Sequence, residues 1–547
     1  MTFNVDEVPG TTKLVEMDPL ALEMHGSKNK RDDVILVPTP SDDPNDPLNW
    51  SRKRKYMHMF CLVVYVFSVG IPTTSIYSVL PAIVDATEML LDTLNDGTGY
   101  MFLFLGIGCM IFLPLSLQFG KRPVYLFSLL ACCLISIWQP YATTSGTWIG
   151  SKILQGFVAA AVEALPEVSI SDVFFEHERA TWMGVYAISV FGSNYLAPLV
   201  AGFIETGMGW KWVIYFSCIW NAVAFVFILV FMEESGYSRA PIKAIEKIKS
   251  IEEKNPQTIN VNQVIDLEKT NSNISPILST EEHINKEIPE KTFVEKLSFR
   301  SPSKKFLLFH YLFGPFQMCM FPVVLWSGFL YGSALIWYSV MNATLSLVLT
   351  SSPYNFSSNM TGVVYVSPLI FAIIFYSYAG WILDYLKIRL ARRRNGLSLA
   401  EDRLWSLILY MILGPASLIL WGVGAAHEVH WFGLVIGAGL MGGLAPIGCS
   451  VSVTYVVDTY HEMSCECMVV VIMIRNLMGF AINYGISPWV TNMGYQNCFI
   501  TAAFVCLACF STSLLMIATG PYWRKKSKNL YWNLVTKKHL REGITNI

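Results

Sequence analysis

The sequence predicts an all-α membrane protein whose twelve membrane-spanning helices form two six-helix bundles. Three observations support this prediction. Of the 547 residues, 53% are hydrophobic and only 14% are charged. The apolar runs recur at lengths of about 20 residues, which is enough for a helix to cross a bilayer. A long polar segment divides these runs into two groups of equal number.

The apolar runs follow one another along the chain without a cleavable signal peptide. Residues 1–50 are polar, and the first apolar run is too long for a signal sequence. We predict spans at about 56–80, 98–117, 123–143, 147–171, 180–203, 212–233, 314–340, 362–386, 404–424, 430–457, 465–489 and 496–519.

The segment between the sixth and seventh runs is polar and has no core-forming pattern. It extends from Glu234 to Lys305 and is rich in Glu, Lys, Asn, Ser and Ile. Such a composition predicts a cytosolic linker between two halves. The expected organisation is an N-terminal tail (1–55), a first bundle (56–233), the linker (234–305), a second bundle (306–523) and a C-terminal tail (524–547). Neither tail has a pattern that predicts a fold.

Basic residues predict the orientation of the spans, because short cytosolic loops collect Lys and Arg. One side of the predicted spans carries the runs SRKRKY, GKRP, HERA, LKIRLARRRN and WRKKSKN, and Lys211 alone breaks the pattern on the other side. Both termini are therefore expected in the cytosol. The loop after the seventh run is expected outside, and its sequons predict glycosylation at Asn342, Asn355 and Asn359.

Two carboxylates one helical turn apart, Glu163 and Glu167, lie inside the otherwise apolar fourth run. A charge at that depth is costly and marks an ion or substrate path. The spacing puts both acids on one helix face, where they could hold a cation or share a proton. Alternatively, one acid pairs with Lys152 and the other lies at the cytosolic rim. Lys152 and Glu163 share a stripe but stand about 16 Å apart along the helix axis, too far for direct pairing.

Other functional classes find little support in the sequence. The net charge of −1 gives no reason to expect a nucleic-acid partner. The 12 cysteines lie mostly within apolar runs without ligand spacing, and HEVH near Glu428 is wrongly spaced for a zinc helix. No repeated pore loop indicates a channel. Two groups of spans around a polar middle are typical of an alternating-access carrier with its site between the halves. We expect no cofactor and no metal.

The loop between the second and third runs, LPLSLQFGKRPVYL, resembles the loop motif of the major facilitator superfamily in the form found in fungal drug:proton antiporter-type carriers. Leu117 replaces the acid that is usual in this motif. The second half carries its own copy, GWILDYLKIR, in which Gly380, Asp384 and Arg389 match. The resemblance implies the major facilitator fold and a gating role for Asp384.

Three further segments carry the resemblance. SKILQGFVAAA is similar to the R-x-x-Q-G motif, with Lys152 in place of Arg, and this implies a part in proton coupling. FGSNYLAPLVAGF resembles the antiporter motif, whose small residues and Pro198 permit close helix contact. YVVDTYHEMSCECMVVVIMIRN resembles the segment of the tenth and eleventh spans and implies coupling or gating roles for Asp458 and Arg475. At its depth Arg475 needs an anion, a substrate group or a backbone partner.

The resemblance to the fungal group covers all twelve runs. The acid-bearing segment VEALPEVSISDVFF, together with the antiporter-like motif, looks most like yeast plasma-membrane permeases for polyamines and other organic cations such as histidinol. The resemblance implies a monomeric carrier whose partners are a small cationic substrate, protons and the lipid bilayer. Uptake driven by protons or the membrane potential is the expected function. A multidrug or toxin:proton antiporter and a non-transporting nutrient sensor are the alternatives.

Aromatic and amide side chains supply the rest of the predicted site. A polyamine is a chain of ammonium groups, which carboxylates and aromatic faces can hold. The predicted substrate site therefore combines the two glutamates with residues from the first, seventh and eleventh runs: Glu163, Glu167, Tyr77, Trp326, Tyr331 and Asn483. For each aromatic residue, packing against lipid or core is the alternative.

Overall fold

A computed structural model describes residues 8–13, 43–237, 292, 295, 297–298, 306–375, 389–390, 393–394 and 397–542. The first half contains α1 (Arg52–Thr74), α2 (Leu80–Thr87), α3 (Leu91–Phe119), α4 (Lys121–Trp138), α5 (Ser145–Ala159), α6 (Ala161–Val173), α7 (Glu176–Met208) and α8 (Trp210–Phe231). The second half contains α9 (Leu308–Met318), α10 (Pro322–Thr350), α11 (Ser358–Val364), α12 (Leu407–Ala426), α13 (Trp431–Thr459) and α14 (Ser464–Glu542).

The helices confirm the predicted all-α membrane fold. In the part of the chain that the structure describes, 11 helical stretches are long and apolar enough to cross a membrane. The last of them is interrupted at Gly494, whose φ of 71° is not helical. Because the chain bends there, this stretch accounts for two spans, which brings the total to the twelve that were predicted.

The seventh span differs from its predicted range of 314–340. It is formed by α10, which continues to Thr350. The sequence becomes more polar after Tyr338, and the prediction ended the span there. In the structure these polar side chains are buried against other helices, among them Asn342, Thr344 and Ser346. A span surrounded by protein tolerates such residues, whereas a span facing lipid does not.

The prediction that neither tail folds is wrong for the described parts of both. Thr11–Lys13 (β1) pairs antiparallel with Leu397–Leu399 (β2), and α14 continues to Glu542. Arg524 on α14 fixes this arrangement, since it pairs with buried Glu401 at 2.6 Å and donates to the Pro9 carbonyl at 2.6 Å. A two-stranded pairing between distant segments leaves no periodic signal in either one.

The most extensive contacts between the two halves are those of α3 with α14 and of α7 with α11. The second contact brings backbones together, because a Cβ added at Gly202 would lie 2.4 Å from the Ser358 carbonyl oxygen. The expected close contact of the small residues near Pro198 is therefore present.

We call the end of the bundle that carries Arg52, Lys121 and Arg524 the basic end.

Candidate functional site

A cavity of about 980 Å³ lies between the two halves and is lined by both. It reaches the basic end, where Gly10, Ala400 and His461 line it, and extends along the bundle to Tyr77 and Asn342. The site of an alternating-access carrier is expected in this position.

Helix α6 brings both glutamates to the cavity wall. Pro166 lies between them and has no N–H to donate to the carbonyl of Val162. The Tyr186 hydroxyl donates to that carbonyl at 2.9 Å and to the Glu163 carbonyl at 3.3 Å. Helix α7 thus stabilises the irregular turn that carries the two acids. Both Glu163 and Glu167 line the cavity, as predicted from their spacing.

Glu163 forms an ion pair across the two halves. Arg475 Nη2 on α14 lies 2.6 Å from Glu163 Oε2, and the two side chains are only 9% and 14% exposed. The same guanidinium donates to Tyr331 Oη at 3.3 Å and to Asn476 Oδ1 at 2.6 Å, and it lies 5.1 Å from the Tyr331 ring centre. The alternative that Glu163 pairs with Lys152 is therefore wrong, and Arg475 has the anionic partner that its depth demands.

Glu167 has no such partner. Its carboxylate makes no hydrogen bond or ion pair with any residue that the structure describes, although it lies half-buried one turn from Glu163. A carboxylate in that position is stabilised when it takes up either a proton or a cation. With Glu163 already compensated by Arg475, Glu167 is the acid that this site leaves available.

The remaining coupling candidates lie in different places. Asp458 lines the cavity near the basic end and pairs with Arg403 Nε at 2.7 Å. Asp384 lies outside the described residues, so its gating role stays a prediction. In the first half, Lys121 forms an ion pair with Asp172 at the basic end.

Lys152 does not line the cavity. It is completely buried, its Nζ donates to Gln155 Oε1 at 3.0 Å, and it lies 5.3 Å from the Trp148 ring centre. The stripe drawn from Lys152 to Glu163 assumed regular α-helical hydrogen bonding, but the bonding tightens around Ala160, where its N–H donates to the Phe157 carbonyl and its own carbonyl accepts from Glu163 N–H. A coupling role for Lys152 therefore has no direct contact with the carboxylates to support it.

Two of the predicted substrate residues are also placed elsewhere. Trp326 donates to Thr512 Oγ1 at 3.0 Å, and Asn483 donates to the Gly479 carbonyl at 2.8 Å. Neither residue lines the cavity, so their role as substrate contacts stays a prediction without a place in this site. The Trp326 bond joins α10 to α14, and the Asn483 bond lies within α14. Tyr77 and Tyr331 do line the cavity, as predicted.

Several cavity residues were missed by the sequence reasoning. These polar side chains lie on helices for which the sequence did not indicate the face that lines the cavity. They are Tyr186, Asn194, Tyr338, Asn342 and Asn476. Tyr338 lies seven residues after Tyr331, which places both on one face of α10, and this spacing was the available signal.

The sequon residues differ in exposure. Asn342 lies inside α10, where its buried amide oxygen accepts a hydrogen bond from the Tyr365 hydroxyl at 2.5 Å. Its prediction as a glycosylated loop residue is wrong, because the helix extends past it. Asn355 is exposed and Asn359 is half-buried in the connection between α10 and α11. Glycosylation at these two remains a prediction.

The family profile of the Major Facilitator Superfamily matches residues 59–426. The chain belongs to the major facilitator superfamily. It is therefore a multi-pass membrane transporter with a small-molecule substrate and not an enzyme.

Curated relatives of the chain are fungal transporters. An uncharacterised transporter of the superfamily from Schizosaccharomyces pombe is 30% identical, with 99% of this chain and 97% of that protein covered. Protein HOL1 of Saccharomyces cerevisiae is 25% identical over 98% of each chain. The multidrug transporter TPO1_2 of Candida glabrata is 24% identical, with 90% of this chain and 79% of that protein covered.

Among solved structures, the human organic anion transporter MFSD10 shares the fold. The TM-score is 0.50 at 14% identity, with 84% of this chain and 99% of that chain covered. At this identity the likeness concerns the fold alone.

Proposed function

We propose that this carrier moves polyamines (spermidine, putrescine, spermine) or related organic cations across the plasma membrane by alternating access. The observation that carries the proposal is the Glu167 carboxylate, which has no partner among the described residues and lies in the wall of the cavity between the halves. An acid without a partner among the described residues, in the wall of a cavity between membrane-spanning helices, favours a cationic substrate over an anionic or neutral one.

The walls around Glu167 suit an amine with an apolar body. Tyr77, Tyr186, Tyr331 and Tyr338 line the same cavity. Aromatic faces attract ammonium groups and also pack against methylene chains. Together with Glu167 they offer charge compensation at one point and adaptable apolar contact along the rest of the substrate.

In the proposed orientation the basic end faces the cytosol, which the distribution of Lys and Arg favours. The membrane potential then favours uptake of cations, by about 2.3 kcal/mol per charge for each 100 mV. Because Glu167 can exchange a proton for an ammonium group, protons are the second candidate driving force. Uptake is therefore the direction that we propose.

Efflux of drugs or toxins in exchange for protons is the second candidate function. It is favoured by the relatedness to a multidrug transporter of Candida glabrata and by the close contact of the antiporter-like segment at Gly202 with α11. The same cavity would serve either direction, since an apolar aromatic wall accepts many organic cations.

The test is the accumulation of labelled spermidine in cells that express the chain, compared with cells that carry an empty vector. A protonophore, and separately a potassium ionophore that collapses the potential, identify the driving force. Net accumulation supports uptake, and faster depletion of preloaded cells supports efflux. If the flux of spermidine and of other amines in either direction equals that of the control cells, the proposal fails.

A further inference from the structure

Arg475 lies against one of the two acids of the cavity wall. It is paired with Glu163, while Glu167, one turn further along α6, has no partner among the described residues. Taken as ionised, the two acids and the arginine carry one net negative charge. This group of three residues can therefore compensate one added cationic group while the ion pair is intact.

We propose that Arg475 acts as the protein's own cation in this site and determines how many positive charges a substrate needs to engage both carboxylates. The proposal rests on the proposed function, because it concerns the same cavity and the same two acids.

The contacts of Arg475 explain how it can be displaced. Its guanidinium is held by Glu163, by the Tyr331 hydroxyl and ring, and by Asn476 Oδ1. A guanidinium that leaves the carboxylate keeps acceptors in Tyr331 and Asn476. These remaining contacts lower the free-energy cost of separating Arg475 from Glu163. The cost of separating a buried ion pair is large when the charge left behind has no other partner.

Substrates with one and with two ammonium groups therefore meet different demands. A monoamine binds at Glu167 and leaves the ion pair intact. A diamine engages Glu163 only when it replaces Arg475 there. Because Glu163 and Arg475 lie on helices of different halves, this replacement also removes a link between the halves. Arg475 thus reduces the gain in affinity that a second ammonium group gives a substrate in this site.

The experiment compares butylamine with putrescine, which have the same four-carbon chain and differ in one ammonium group. The affinity of each is measured by competition against a labelled amine that the parent carries, and the quantity of interest is the ratio of the two affinities. In Arg475→Gln this ratio should shift toward putrescine by at least about tenfold, the size of one charge-assisted hydrogen bond.

A second variant protects the test against misfolding of Arg475→Gln, which leaves two acids without a basic partner. Asn476→Ala keeps every charge but removes an acceptor that the displaced guanidinium would retain, so displacement of Arg475 becomes costlier and the ratio should shift toward butylamine by about threefold. Arg54→Gln is the matched control. It breaks a half-exposed pair with Glu233 (2.5 Å) outside the cavity and should leave the ratio unchanged.

The outcomes separate this inference from the function on which it rests. A parent that carries no amine overturns the proposed function and, with it, this inference. If the parent carries amines, the inference alone is overturned when the ratio in Arg475→Gln stays constant or shifts toward butylamine. Where Arg475→Gln does not reach the surface, a ratio in Asn476→Ala that stays constant or shifts toward putrescine overturns it. A shift toward putrescine in Arg475→Gln, or toward butylamine in Asn476→Ala where Arg475→Gln does not reach the surface, supports the inference when Arg54→Gln leaves the ratio unchanged.

Discussion

Replacing each glutamate by glutamine should affect stability in opposite ways, although the two residues lie one turn apart. Glu163→Gln leaves the Arg475 guanidinium buried without its anion, since these side chains are only 9% and 14% exposed. Removing one partner of a buried ion pair lowers the free energy of unfolding by about 3 to 5 kcal/mol. Because Arg475 keeps other polar contacts, we expect a loss of about 3 kcal/mol. Glu167→Gln removes an acid that has no partner in the described structure, so stability should be unchanged or slightly higher.

The assay is the thermal unfolding of detergent-solubilised protein, together with the amount of protein at the cell surface. The expected order places the parent and Glu167→Gln above Glu163→Gln. The double variant Glu163→Gln with Arg475→Gln should recover most of the loss, because two neutral side chains replace both charges of the pair. The reasoning is refuted if Glu163→Gln is as stable as the parent, or if the double variant is less stable than either single one.

Three further predictions concern the scaffold. Gly202→Ala should lower the free energy of unfolding by about 1 to 3 kcal/mol, because the added Cβ would lie 2.4 Å from a carbonyl oxygen of α11. Gly207→Ala on the same helix is the control, since its Cβ meets no atom within 4 Å. Asn355→Gln should abolish a glycosidase-sensitive shift in electrophoretic mobility if this exposed sequon carries the glycan, and an unchanged shift would count against it. Cysteines placed at Thr12 and Ser398, which face each other across the β1–β2 ribbon, should be joined by a short bismaleimide in a variant without native cysteines, and a failure to react would contradict the pairing.

The sequence predicted what depends on local patterns, which are apolar length, charge distribution and the spacing of residues on one helix. These patterns were sufficient for the twelve spans and for the shared face of Glu163 and Glu167. They failed where polar residues face other helices, as at Asn342, because local polarity does not distinguish a loop from a span that is buried in protein.

Pairings between distant helices were the second limit. Glu163 and Arg475 belong to different halves, and nothing in either segment specifies the other. The stripe from Lys152 assumed regular α-helical hydrogen bonding, which the tighter bonds around Ala160 interrupt. Pro166 was the local signal of an irregular helix, since it removes a backbone donor in the turn that carries both acids.

The central claim is that Glu167 compensates the charge of a transported cation. The most direct test is the uptake of labelled spermidine into proteoliposomes with an imposed interior-negative potential, for the parent and for Glu167→Gln at equal protein content. The parent should accumulate spermidine, and Glu167→Gln should show an affinity at least about tenfold weaker, because the charge-assisted bond to the ammonium group is lost. Equal uptake and equal affinity in the two proteins would contradict the claim.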